Sequence, residues 1–317
     1  MDNLQPLNIL IADDGSVHSQ AAMRLACDLP LPPGSQLTLL AVLSTREGAQ
    51  TAARRRALDA SRKFLEHPQR SVQAHLVIGV AADTIVQYAD QTEPDMILLG
   101  AQGLRATLGI FLGGVAQQVV EYARRPVLVV RAPYTGLRRV LLTTDGSAYS
   151  RLALLCLTGG GKGKNGALCS RFPLPDNTDV RVMHVLPPIP SATYATEIWP
   201  AIPDVLPPVR RLDVSEYEDW LQAEKKEGEA LLRQVTAELA EAGIQAAPVL
   251  RRGDAATEIK AYVEEHHIDM IVAGSRGLSQ MSGWLLGSVS RKIVHYSGCS
   301  ALIVKGHVVD QQEASPH

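Results

Sequence analysis

The fold is indicated by Asp269-Met-Ile-Val-Ala-Gly-Ser-Arg-Gly277, which is followed after nine residues by Gly287-Ser288. The apolar run predicts a buried strand, and Ser288 opens a segment with apolar residues at helical spacing. Gly274 and Gly277 allow a ligand to approach closely where a Cβ would obstruct it. The first amides of a helix lack acceptors within it, so together with the helix dipole they favour an anion such as a phosphate chain. The alternative is a plain turn with Ser288 as a helix N-cap.

The same pattern occurs earlier in the chain, where Asp95-Met-Ile-Leu-Leu-Gly-Ala-Gln-Gly103 is followed after nine residues by Gly113-Gly114. Three more segments are repeated, and the matched ranges are 9–16 with 140–147, 79–85 with 253–259, and 125–130 with 299–304. Such self-similarity indicates an internal duplication. We therefore expect a first domain over residues 1–135, a second domain with insertions over 136–309, and a C-terminal tail over 310–317.

The composition is that of a globular chain without a polyanionic partner. Its 317 residues correspond to about two domains, and 46% hydrophobic with 20% charged residues is ordinary. A formal net charge of -2 and a pI of about 6.5 predict no binding to nucleic acid or to an anionic membrane. The N-terminus lacks the pattern of a signal peptide, and no apolar run approaches the length of a membrane span. We expect a cytoplasmic protein.

Several other features favour purely structural roles. The four cysteines form no C-x-x-C pair, so we expect neither a disulfide framework nor a zinc site, and Cys27 and Cys156 are interpreted as buried reduced thiols. The nine histidines have no metal-ligand spacing. The cluster Arg54-Arg-Arg56 is interpreted as a solvated helix face. The segment Gly159-Gly-Gly-Lys-Gly-Lys164 lacks the spacing of a phosphate loop and is expected to form a surface loop.

Each half alternates strands with helices and begins and ends with a strand. Nearly continuous apolar strands such as Met96–Leu99 predict a parallel sheet that is covered on both faces. The predicted fold class is α/β, with two tandem doubly wound domains, each a five-stranded parallel sheet flanked by helices. In such sheets ligands bind beyond the carboxyl ends of the strands. The turns at Asp14 and Asp145 and both glycine loops are expected to converge on that edge.

The second half contains a proline-rich insertion over residues 186–214, followed by a helix that is predicted to end near Gly243. Long loops in compact domains are often functional, and this one leaves a strand close to the expected ligand edge. Two interpretations stay open. Tyr194 and Trp199 could form a lid or contact a partner, or they could pack across the two halves.

The repeated strand-Asp-Gly-Ser start, the G-x2-G-x9-G-[ST] pattern and the closing Pro-Val-Leu-Val-type strand resemble the universal stress protein family, as a tandem pair over nearly the whole chain. In that family the fold is a five-stranded parallel α/β sheet, and the motif-bearing members bind ATP. The resemblance implies that the nucleotide is bound by the second half, with Asp145 and Val185 at the adenine and ribose end and with Gly274, Gly277, Gly287 and Ser288 at the phosphates.

The corresponding residues of the first half are Asp14, Val42, Gly100, Gly103, Gly113 and Gly114. At Gly114 the hydroxyl residue of the pattern is missing, so we expect the first half to bind ATP more weakly or not at all. Family members also dimerise through the last strand. The resemblance therefore implies an intramolecular pseudo-dimer in which Val127–Val130 lies against Ala301–Val304, and it leaves open whether two chains form a homodimer.

Three functions are compatible with these patterns. The first is a stress-response regulator in which bound ATP, with Mg2+ carried on its phosphates, changes the shape of the protein or its affinity for a protein partner. The second is an enzyme that hydrolyses ATP or phosphorylates itself, at most weakly. We assign no catalytic residues, because the chain lacks a Walker lysine and the groups that phosphoryl transfer requires. The third is an interaction module that binds no nucleotide. The sequence does not distinguish ATP from AMP or cyclic AMP.

Overall fold

The computed structural model describes residues 5–44, 51–104, 112–159, 170–189, 214–277 and 286–306. The predicted tail over 310–317 lies outside these ranges, as do Tyr194, Trp199 and most of the insertion over 186–214. The described strands are β1 (Asn8–Ala12), β2 (Ser35–Leu43), β3 (Arg70–Ile78), β4 (Met96–Gly100), β5 (Val127–Val130), β6 (Arg139–Thr143), β7 (Asp179–Leu186), β8 (Ala246–Arg252), β9 (Met270–Gly274) and β10 (Ser300–Val304). The described helices are α1 (Val17–Asp28), α2 (Thr51–Leu65), α3 (Ala81–Thr92), α4 (Gly114–Tyr122), α5 (Ala148–Thr158), α6 (Val214–Glu241), α7 (Ala255–His266) and α8 (Ser288–Tyr296).

The strands form one sheet in the order β3-β2-β1-β4-β5-β10-β9-β6-β7-β8. Neighbouring strands are parallel within each half. The halves meet where β5 pairs with β10 in the antiparallel direction, with Val129 opposite Ala301 and Val127 opposite Ile303. The predicted apposition of the two last strands is confirmed, and it joins the two five-stranded sheets into a single sheet of ten strands.

Helices cover both faces of this sheet, which explains why its central strands, such as β4 and β5, are apolar along almost their whole length. On β4, Leu98 packs into the core cluster on one face, whereas Ile97 and Leu99 pack into the cluster on the other. The α/β class with helices on both faces is therefore confirmed. Among the described residues, no helix is both long and apolar enough to span a bilayer.

Polar contacts across the pseudo-two-fold axis add to the pairing of β5 with β10. Arg131, directly after β5, donates hydrogen bonds to carbonyl oxygens at the end of α8. Lys305, directly after β10, donates to carbonyl oxygens at the end of α4. Each half thus supplies a cation to the C-terminus of a helix in the other half, where the helix dipole favours positive charge.

One expectation about the cysteines is wrong. Cys156 is disulfide-bonded, whereas Cys27 and Cys299 are free thiols. Residue spacing gave no hint of this bond, because pairing depends on which cysteines the fold brings together rather than on a local motif. The predicted long helix is confirmed as α6, which at 28 residues is almost twice as long as the 15-residue α2 of the first half.

Candidate functional site

A cavity of about 200 Å3 opens at the carboxyl ends of β6 and β9 in the second half. All six residues that the sequence singled out in this half line the cavity, namely Asp145, Val185, Gly274, Gly277, Gly287 and Ser288. They come from two strand ends, two loops and the start of α8, and they are separated by as many as 143 positions in the chain. The parallel sheet brings them together because successive strands end at the same edge.

The start of α8 differs from that of the neighbouring helices. In α5 and α7 the N-cap residues, Ser147 and Asp254, accept a hydrogen bond from an amide of the first turn. In α8 the N-cap is Gly287, which has no side chain to offer, and Ser288 is the first helical residue. Ser288 is therefore not the N-cap that the alternative interpretation required. The first turn of α8 borders the cavity with amides that no capping side chain accepts from.

The two loop glycines are required by the fold as well as by any ligand. A Cβ at Gly274 would overlap the backbone of Tyr149 at the start of α5, and a Cβ at Gly277 would lie 2.5 Å from Oδ2 of Asp145. From the sequence, the two glycines are interpreted as allowing the approach of a ligand or as shaping a turn. The structure adds the close packing of α5 on the end of β9 and the placement of the Asp145 carboxylate.

Much of the cavity wall was not singled out by the sequence analysis. The additional apolar lining residues are Met183, Ala255, Ile259, Ala273, Val289 and Ile293, and the additional hydroxyl residues are Thr143, Thr144, Ser150 and Ser290. The sequence repeat could have indicated two of these residues, because Ala255 and Ile259 lie in the segment 253–259 that matches 79–85. The cavity thus combines apolar side chains, which suit a planar base, with hydroxyls and backbone amides, which suit phosphate or ribose oxygens.

The Gly-Ser-Arg-Gly loop also supplies a cation to the cavity wall, Arg276. Its guanidinium lies 5.4 Å from the ring centroid of Tyr149, and Nη1 donates a hydrogen bond of 3.3 Å to the tyrosine hydroxyl. The matching residue of the first half is the neutral Gln102. The described residues contain no cluster of three or more histidine, cysteine, aspartate or glutamate side chains that could hold a metal ion.

The first half repeats this backbone arrangement. The amide of Gly113 donates to the carbonyl oxygen of Ala101 at 2.8 Å, as the amide of Gly287 does to that of Ser275 at 2.8 Å. A Cβ at Gly103 would lie 2.7 Å from Oδ2 of Asp14, just as Gly277 is close to Asp145. The loop geometry is therefore conserved between the two halves of the chain.

The remaining candidate site residues of the first half also lie at positions equivalent to those of the second half. Gly100 packs against the backbone of His18, in the same way as Gly274 against Tyr149. Val42 packs against the buried core cluster near the strand ends. Gly114 is the first residue of α4, and no atom of the described residues lies within 4 Å of the position that a Cβ would take there.

The side chains at the carboxyl ends of the strands nevertheless differ between the two halves. The buried Leu99 stands at the end of β4 where the second half has Ala273, a residue that lines the cavity. The buried carboxylate of Asp13 stands where the second half has Thr144. The first half therefore has a larger apolar side chain and an additional acid at positions that border the cavity in the second half.

The position of Arg54 contradicts the interpretation of Arg54-Arg-Arg56 as a solvated helix face. Its side chain is only 14% exposed, it forms an ion pair with Asp13 at 3.5 Å, and it donates a hydrogen bond to the carbonyl oxygen of Asp13. The Asp13 carboxylate also accepts hydrogen bonds from the hydroxyls of Ser19 at 3.1 Å and Ser61 at 3.0 Å. The expectation of a solvated face is wrong for Arg54, because α2 packs this residue against the acidic turn. A cluster of charges in sequence does not indicate which of its members faces the core.

Comparison with known proteins agrees with this architecture. The universal stress protein family matches residues 7–131 and 136–305. Universal stress protein YxiE of Bacillus subtilis is 41% identical over 81 residues, which are 26% of this chain and 55% of that relative. The chain thus matches about half the length of this relative.

Two solved structures are also similar. The crystal structure of a universal stress protein from Archaeoglobus fulgidus superposes with a TM-score of 0.62 at 16% identity and covers 95% of this chain and 97% of its own, so it shares the fold. A universal stress protein solved in complex with cAMP matches 39% of this chain and 94% of its own, at 22% identity and a TM-score of 0.30. The family match covers both halves and most of the chain, and the protein is therefore a tandem member of the universal stress protein family.

Proposed function

We propose that this protein is a stress-response regulator that binds ATP in its second half, and that the bound nucleotide changes the shape of the protein or its affinity for a protein partner. The observation that carries the proposal is the uncapped first turn of α8, which borders a cavity with both apolar and hydroxyl walls. Backbone amides at a helix N-terminus are suited to phosphate oxygens. The apolar members of the wall are suited to the face of an adenine ring.

The residues present fit an adenine nucleotide. Gly277, Gly287 and Ser288 would hold the phosphates through backbone amides and one hydroxyl. Asp145 would accept hydrogen bonds from ribose hydroxyls, and Val185 would pack near the base. A Mg2+ ion would be carried by the phosphates, because the described residues offer no cluster of metal ligands of their own.

We further propose that the first half binds the nucleotide weakly or not at all. Gly114 lacks the hydroxyl that Ser288 supplies, and a charged group would lose one hydrogen bond there. Leu99 in place of Ala273 also narrows the space that a ligand would need, so both differences act in the same direction. The ion pair of Asp13 with Arg54 occupies the turn where the second half has the neutral Thr144.

The test is calorimetric titration of ATP into the whole protein and into two variants of Ala273. In Ala273→Leu the longer side chain extends into the cavity, and we expect ATP binding to be lost. The first half has leucine at the matching position, so the strand end accommodates this residue type. Ala273→Ser is the matched control, because it keeps a small side chain and should retain the affinity of the parent protein.

The outcomes separate the candidate functions. Binding of one ATP per chain that is lost in Ala273→Leu and kept in Ala273→Ser supports the proposal. Undiminished binding in Ala273→Leu would place the nucleotide elsewhere. No binding of ATP, AMP or cyclic AMP to the parent protein would leave the interaction module as the better account of this chain.

A further inference from the structure

We propose that Arg131, which belongs to the first half, is a positioning residue for the phosphate-binding end of α8 in the second half. This inference rests on the proposed ATP site and extends it, because it makes that site dependent on the other half. It is carried by the contacts of Arg131 at one end of α8 and by the tie of α8 to β9 at the other end.

Arg131 holds the C-terminal end of α8. Its Nη2 atom donates hydrogen bonds to the carbonyl oxygens of Val294 at 2.7 Å and His295 at 3.3 Å. The backbone amide of Arg131 donates to Oγ of Ser300 at 3.2 Å, so the residue is itself anchored to the second half. A partly buried guanidinium fixed in this way gives the helix end a cation and a defined position.

The other end of α8 is fixed from within the second half. Oγ of Ser290, in the first turn, donates a hydrogen bond of 2.7 Å to the carbonyl oxygen of Gly274 at the end of β9. The helix has only nine residues, about 13 Å at 1.5 Å per residue. A helix this short moves as a unit, so a shift of its C-terminus tilts it about the hydrogen bond from Ser290 to Gly274 and changes the direction of the amides that border the cavity.

Lys305 provides an internal control. It follows β10 as Arg131 follows β5, and its Nζ donates to the carbonyl oxygens of Glu121 at 2.9 Å and Ala123 at 2.8 Å at the end of α4. These bonds are made to the matching helix of the first half and not to α8, although the ammonium also interacts electrostatically with Arg276 in the cavity wall. A control at Lys305 must therefore keep the positive charge, and Lys305→Arg does so while it disturbs the bonds to α4.

The experiment compares ATP with adenosine on the whole protein. Arg131→Met removes the cation and both hydrogen bonds while keeping an unbranched side chain. We expect ATP to bind roughly two- to five-fold more weakly, the range expected for a charge at a helix terminus. Adenosine affinity should stay that of the parent protein, because adenosine has no phosphate for α8 to hold. In Lys305→Arg, which keeps the positive charge near Arg276 but disturbs the bonds to α4, the affinities for both ligands at the second half should stay unchanged.

Three results would overturn the inference. Unchanged ATP affinity in Arg131→Met would show that the orientation of α8 does not depend on Arg131. An equal loss for ATP and adenosine, or an equal loss in Lys305→Arg, would indicate a general loosening of the two halves. If Arg131→Met does not fold, Arg131→Lys, which keeps the charge but loses the fork of donors, must weaken ATP alone. Failure of the parent protein to bind ATP would instead overturn the proposed function, and this inference with it.

Discussion

Nδ1 of His184 donates a hydrogen bond of 2.8 Å to the carbonyl oxygen of Thr144, in the acidic turn that follows β6. In the first half the matching carbonyl belongs to Asp13 and accepts from the guanidinium of Arg54. One half thus uses a strand side chain and the other a helix side chain to satisfy the same backbone group. Helix α6 leaves room for the imidazole because Gly228 passes over it, and a Cβ there would lie 3.1 Å from Cδ2 of His184.

His184→Ala should destabilise the second half. Without the imidazole, the Thr144 carbonyl oxygen loses its side-chain donor in a turn that is largely shielded from water. We expect the free energy of unfolding to fall by about 1–3 kcal/mol, measured by urea denaturation. His67→Ala removes an exposed histidine and should change stability by less than about 0.5 kcal/mol. Equal effects of the two substitutions would contradict the role given to His184.

Gly114→Ser should create or strengthen an ATP site in the first half. Among the described residues no atom would obstruct a Cβ at this position, and the hydroxyl would match that of Ser288. A hydrogen bond to a charged group corresponds to roughly a 10- to 150-fold gain in affinity. The measurement is a titration of the parent protein and the variant, with Gly114→Ala as a control that adds a Cβ but no hydroxyl. Two equal sites in the parent protein would refute the asymmetry, and no gain in Gly114→Ser would assign the difference to Leu99 or Asp13.

Hydrolysis of ATP should be slow. No group that could orient an attacking water has been assigned at the glycine loop, and amides with one hydroxyl can hold phosphates without activating a nucleophile. Purified protein should release phosphate far more slowly than roughly 1 s⁻¹, the low end of the range for ordinary enzymes. Ala273→Leu, which should not bind ATP, serves as the control for phosphate release by a contaminating ATPase. Release at that rate in the parent protein, lost in Ala273→Leu, would favour the enzyme.

The free energy of unfolding should contain a contribution that rises with pH, and this contribution should be absent in Lys305→Met. Burial lowers the pKa of Lys305 to about 8, below the ordinary value of 10.5. Between these values the folded protein has lost the proton that the unfolded chain retains, so unfolding takes up a proton and becomes less favourable as pH rises. The slope from this group is at most about 1.4 kcal/mol per pH unit. Urea denaturation of both proteins between about pH 7 and pH 10 measures it. A constant difference between them would contradict the lowered pKa.

The fold was largely predictable, because the central strands appear in the sequence as apolar runs and the turns after β1, β4, β6 and β9 appear as glycine or Asp-Gly-Ser patterns. Cys156 and Arg54 were not predictable, since their partners are selected by three-dimensional packing and not by spacing along the chain. The contribution of Ala273 was hidden for a similar reason. It looks like any other residue of a buried strand until the structure shows that it lines the cavity.

The pairing of β5 with β10 has a consequence for how the two sites can change. In a symmetric dimer of identical chains, every substitution is made twice, so both sites gain or lose a ligand together. Here the two partners are encoded separately within one polypeptide, and their association does not depend on protein concentration. One copy is therefore free to change a residue at its sheet edge, as with Gly114 in place of a serine, while it continues to provide the other copy with a neighbouring strand and a cation.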